Sequence, residues 1–64
     1  METYVTMVNG KEYELSTNVN EKTLDRISKG DLIEGFVTLK DVVLFGGVSG
    51  NVVINVKHIT SIEN

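Results

Sequence analysis

Apolar and polar residues alternate on both sides of Asn9-Gly10, as Tyr4-Val5-Thr6-Met7-Val8 before it and Lys11-Glu12-Tyr13-Glu14-Leu15 after it. A period of two is the signature of a half-buried strand. Asn-Gly between two such runs predicts a β-hairpin, because a type I′ turn needs positive φ at both central positions. A two-residue turn sets Val8 opposite Lys11, Thr6 opposite Tyr13 and Tyr4 opposite Leu15. That register collects Tyr4, Thr6, Val8, Tyr13 and Leu15 on a core face. Val5 and Met7 then stand opposite Glu14 and Glu12, either under a later segment or at a contact surface.

Residues 18–29 change period. Asn18 followed by Glu21 has the spacing of a capping box. Leu24 and Ile27 share a helical face with Val19 near its start, and Gly30 suits a C′ position. A short helix of two to three turns is predicted, packing by a narrow stripe, with Lys22, Asp25, Arg26 and Lys29 on its other faces.

From Leu32 the pattern is β again. Ile33, Val37 and Leu39 alternate with Gly35 in phase, and Lys40-Asp41 interrupts before the Val42–Phe45 run. Gly46-Gly47-Val48-Ser49-Gly50 reads as a loop closing a hairpin onto Asn51–Val56. Lys57-His58 interrupts again, and Ile59–Ile62 reads as a last short strand. The fold class is therefore mostly β, with five to six short strands, an N-terminal Asn-Gly hairpin and one short helix. A small barrel formed by a single domain over 1–64 is expected, because closure removes the exposed strand edges. Segments 42–45 and 52–56 are apolar at both phases, and such strands are covered or sit in an interface. With one short helix available, a partner or oligomer surface is expected at Val5, Met7, Val43, Phe45 and Val48, edged by Glu12 and Glu14.

Composition sharpens this. A chain of 64 residues buries only about 60% of its unfolded surface, so its stability is marginal and small proteins often add a staple. There is no cysteine, which removes disulfides and thiolate metal sites, and there is a single histidine. Self-association is the remaining route. Six Lys/Arg against nine Asp/Glu give a net charge of −3, which disfavours non-specific binding to phosphate backbones. No apolar run approaches the roughly 20 residues that span a bilayer. Met1-Glu2-Thr3-Tyr4 carries neither the basic nor the apolar region of a signal peptide. A soluble cytoplasmic protein without membrane contact is expected.

The candidate chemistry is thin. The glycines at 46, 47 and 50 lead into a strand and lack the lysine and hydroxyl residue that open a helix in a P-loop. Glu12 and Glu14 lie about 7 Å apart on one strand face, which suits solvated carboxylates as well as an acid/base pair. His58 has Thr60 and Ser61 nearby in sequence, but no nucleophile–base pairing follows from that. No catalytic residue, metal or cofactor is expected. His58 is expected to be a turn residue whose ring packs on the barrel end, with a ligand contact shared with Asn55 and Lys57 as the alternative.

Residues 35–62, from Gly-Phe-Val-Thr-Leu-Lys-Asp-Val-Val-Leu-Phe to Val-Val-Ile-Asn-Val-Lys-His-Ile-Thr-Ser-Ile, resemble the second part of the Sm-like fold. The Lys57-His58 pair is similar to the closing motif of the bacterial Sm-like RNA chaperones of the Hfq family, where it lines a uridine pocket at the pore of a ring. Val56 stands where that family has an aromatic residue, and here the helix follows the first hairpin rather than preceding it. The ending 54–62 also resembles short proteins of Firmicutes and their phages. Two functions follow as expectations. The first is a non-catalytic protein-interaction module, self-associating and binding a protein partner, such as a phage- or bacillus-encoded modulator of a host protein in the host cytoplasm. The second is an Sm-like ring binding RNA or a small nucleotide near Asn55, Lys57 and His58. A structural subunit of a larger particle shares the assembly of the first.

Overall fold

A computed structural model describes residues 1–64. Its strands are β1 (Glu2–Met7), β2 (Glu12–Ser16), β3 (Phe36–Val43), β4 (Ser49–Asn55) and β5 (Ile59–Glu63). The helix α1 (Glu21–Ser28) follows β2, and 3₁₀ turns occupy Phe45–Gly47 and Val56–His58. The strands form one antiparallel sheet in the order β4-β3-β2-β1-β5. The two end strands do not pair with each other, so the sheet is unclosed and the expected removal of both edges does not occur. No helix is long and apolar enough to cross a membrane.

The first hairpin corrects the predicted register. Val5 pairs with Tyr13, Tyr4 with Glu14 and Thr6 with Glu12. The connection is a three-residue loop, Val8-Asn9-Gly10. The Met7 N–H donates to the Lys11 carbonyl at 2.8 Å and the Gly10 N–H to the Met7 carbonyl at 2.9 Å. Within it only Gly10 has positive φ, at 88°, whereas a type I′ turn requires it at Asn9 as well. A slip of one residue exchanges the two faces of a strand. Val5 and Met7 therefore lie in the core, at 0% and 8% exposure, and Val8 is 66% exposed. The physical reason is the company each register provides. Opposite Tyr13, Val5 is buried among apolar groups, whereas the two-residue turn would carry Glu12 and Glu14 inward with Val5 and Met7, at a large desolvation cost.

The helix begins later than the capping box implied. Asn20 is its N-cap residue, without a side-chain cap. Its amide instead donates to the carbonyls of Ser16 (2.7 Å) and Lys40 (2.8 Å), and its Oδ1 accepts from the Lys40 N–H at 2.7 Å. The C-terminus is a Schellman motif: Gly30 has φ 81°, its N–H bonds to the Ile27 carbonyl, and the Asp31 N–H bonds to the Arg26 carbonyl. Leu24 is the buried residue of the helix; Val19 precedes it and is exposed.

Lys40-Asp41 is a bulge rather than a break. The register of β3 against β4 shifts between Leu39 and Val42, Asp41 takes φ 51°, and the strand runs on to Val43. Ile33 lies outside the strand and is exposed. The β3–β4 loop is shorter than expected, because Ser49 and Gly50 belong to β4. Its bonds, from Leu44 N–H to Val48 carbonyl and from Gly47 N–H to Leu44 carbonyl, repeat those of the first hairpin. The core consists of Val5, Met7, Leu15, Leu24, Leu39, Val42 and Ile54. Buried Thr3 is satisfied by the Thr17 hydroxyl and by donating to Asn64 Oδ1, both at 2.7 Å.

Candidate functional site

Three segments converge at one end of the sheet. The first hairpin loop supplies Val8 and Asn9, the strand ends supply Phe36 and Val53–Asn55, and the second 3₁₀ turn supplies His58. They line a groove of about 430 Å³ floored by Met7, Tyr13 and Ile54. Its walls are joined by backbone bonds. The Val8 N–H donates to the His58 carbonyl at 2.8 Å, and the Val56 N–H to the Gly35 carbonyl at 2.9 Å. The 3₁₀ turn is set by Asn55, whose Oδ1 accepts the Lys57 N–H at 3.0 Å, an Asx-type bond that tightens a turn. Phe36 and Val53 are diagonal neighbours across the β3–β4 ladder and both are exposed. The Lys11 ammonium lies 5.4 Å from the Tyr13 ring centroid, within cation–π range.

A second apolar patch occupies the opposite end of the β3–β4 hairpin. Val43, Leu44, Phe45 and Val48 surround the loop, and Phe45 is fully exposed. About seven residues of strand separate Phe36 from Val43, so the two patches stand roughly 23 Å apart at 3.3 Å per residue.

The outer face of β1 and β2 is acidic. Tyr4 lies between Glu14 on β2 and Glu63 on β5, while Glu12 pairs with Thr6 and Glu2 with Ser16. The Tyr4 hydroxyl donates to a Glu2 carboxylate oxygen at 3.3 Å. The Glu14 carboxyl is raised above its ordinary value, first by a hydrogen bond with Glu2, then by partial desolvation and by the charges of Glu2 and Glu12. The Tyr4 phenol is raised by the charge of Glu14 and then of Glu2. No group of three or more His, Asp or Glu side chains is arranged to hold a metal ion.

The sequence-derived site residues therefore separate into five places. Val43, Phe45 and Val48 meet at the hairpin tip, while Asn55 and His58 meet in the groove. Lys57 is exposed and stands outside the groove lining. Glu12 and Glu14 lie on the acidic outer face, and Val5 and Met7 leave the surface for the core. The groove also takes in Phe36 and Val53, to which the sequence pattern assigns no site, and Val8 and Tyr13, which it places on the core face; Val8 is exposed and Tyr13 is partly buried against the core. For Phe36 the signal was its phase: it stands out of step with Val37 and Leu39, on the face a half-buried strand turns outward. Compared with protein-family models, with curated proteins and with solved structures, the chain matches none of them.

Proposed function

We propose that the chain is a non-catalytic protein-interaction module with an SH3/Sm-like barrel fold. The strand order, with a 3₁₀ turn carrying the chain from the β4 edge to the β5 edge, supports the barrel reading. The interaction reading rests on one observation. Phe45, Phe36, Val48 and Val53 are 100%, 75%, 64% and 63% exposed although a closed core of seven other residues exists without them. Large apolar groups clustered on a surface mark a contact with another molecule, and these fall into two patches beside an acidic face.

The test is to place a photo-crosslinking amino acid at Phe36, at Phe45 and, as control, at exposed Lys22 on the helix. Irradiation in the producing cells should give discrete adducts from an apolar position, with another protein or a second copy, and none from Lys22. Adducts from neither patch would remove the reading.

A second reading follows from the groove. His58 and Asn55 line it together with Tyr13 and Phe36, and bases stack on aromatic rings. A nucleotide or RNA ligand there should bind in a salt-sensitive manner and be lost in a Lys57→Ala, His58→Ala variant. No binding of short oligonucleotides at low salt would eliminate it.

A further inference from the structure

The two free edges of the sheet differ. β5 has five residues, its register with β1 shifts beside Met7, it follows Lys57 and His58, and it ends on Glu63. Short length, irregularity and charge are the usual protections of an edge. β4 is longer and uncharged, and although its register with β3 also shifts, the extra residue of that bulge belongs to β3, where Lys40-Asp41 oppose Asn51. Its seven residues, Ser49-Gly50-Asn51-Val52-Val53-Ile54-Asn55, include no proline and no ionisable side chain, and it is the only strand that lacks one.

The direction of its backbone groups follows from the ladder. Val48 and Val56 both bond toward β3, at Leu44 and Gly35. Bonding direction alternates along an antiparallel strand, so Ser49, Asn51 and Val53 turn their N–H and C=O groups away from β3. We propose that β4 pairs antiparallel with β4 of a second copy, across a two-fold axis near Asn51. This deepens the interaction reading by naming the partner.

Two observations select a second copy. The chain carries a net charge of −3, so most faces would oppose carboxylates on self-contact, whereas the neutral β4 edge does not. The apolar patches also lie at opposite ends of the same hairpin. An antiparallel two-fold pairing brings the Phe45 tip of each protomer beside the Phe36–His58 groove of the other. One operation thus covers both patches, and does so twice, as an isologous interface requires.

The experiment is sedimentation equilibrium of the full chain alongside Asn51→Pro, Val53→Lys and Phe45→Ser, each with circular dichroism. Asn51→Pro removes only an outward N–H, a position where edge strands tolerate proline, and Val53→Lys puts a charge on the edge if the proline disturbs folding. The expected result is a wild-type dimer, folded monomers for the two edge variants, and a dissociation constant raised about tenfold or more for Phe45→Ser. A monomeric wild type, a dimer surviving in a folded edge variant, or a larger ring joined through unlike edges would each overturn the proposal. A monomer that still cross-links to another protein at Phe36 or Phe45 would overturn it while leaving the interaction module standing.

Discussion

Asn20 grips Lys40 by both of its backbone groups: its Oδ1 accepts the Lys40 N–H at 2.7 Å, and its Nδ2 donates to the Lys40 carbonyl at 2.8 Å. The same amide reaches the Ser16 carbonyl at the end of β2. The side chain is only 3% exposed, and it closes the region where the β3 bulge would otherwise leave peptide groups unpaired. Buried polar groups stripped of partners cost about 1–3 kcal/mol each. Asn20→Ala should therefore lower the unfolding free energy by about 2–4 kcal/mol in urea titration. Asn20→Asp should also destabilise, because a carboxylate would face two carbonyl oxygens. A loss below about 0.5 kcal/mol, the range of ordinary surface substitutions, would show that water replaces the amide.

Met7 and Phe45 offer a paired test of the register. Met7→Ala empties part of a packed core and should cost about 2–4 kcal/mol. Phe45→Ser touches a fully exposed side chain and should leave monomer stability within about 0.5 kcal/mol. Thermal or urea unfolding, measured where the protein is monomeric, separates the two. A Met7→Ala loss as small as that of Phe45→Ser would contradict the observed faces of β1.

The same pair shows what the sequence could reveal. Alternation on each side of Asn9-Gly10 was enough to identify β1 and β2, and the Leu24–Ile27 spacing with Gly30 identified the helix. The face of β1 was not legible, because it depends on whether two or three residues make the turn. Tyr4-Thr6-Val8 and Val5-Met7 are both plausible inward sets until the position of Glu12 and Glu14 is considered. Applying the desolvation cost of those glutamates to each register would have favoured the longer loop. The Asn20 clamp was hidden for another reason, since its partner lies twenty residues away and presents only backbone atoms. The groove combines a hairpin loop, two strand ends and a 3₁₀ turn, so no short motif records it.

Gly10 carries the left-handed conformation of the first loop alone. Its φ is 88° and nothing lies within 4 Å of where a Cβ would stand, so Gly10→Ala meets backbone strain without a clash. A cost of about 1 kcal/mol is expected. Asn9→Ala loses the bond from the Lys11 N–H to Asn9 Oδ1 at 3.0 Å, an exposed interaction of about 0.5 kcal/mol or less. Unfolding midpoints should rank Gly10→Ala below Asn9→Ala. The reverse order would restore the two-residue turn with Asn9 in the left-handed region.

Glu14 links stability to pH with a definite sign. Hydrogen bonding to Glu2, desolvation and the nearby negative charges all raise its folded-state pKa. Between the ordinary carboxylate value and the raised one, the folded state therefore binds more protons than the unfolded state. Stability then falls as pH rises through that window: the protonated group is tolerated, and the ionised group is a liability at neutral pH. Glu14→Gln should make the protein more stable than wild type at pH 7, and the difference should shrink toward zero as the pH drops below the ordinary carboxylate range. Glu2→Gln should act in the same direction, and the double variant should gain less than the sum of the two, because each removes the other's repulsion. Urea unfolding of the four proteins across the acid range checks this. A difference that did not vary with pH would mean that packing at position 14, rather than the crowding of carboxylates around Tyr4, sets its contribution.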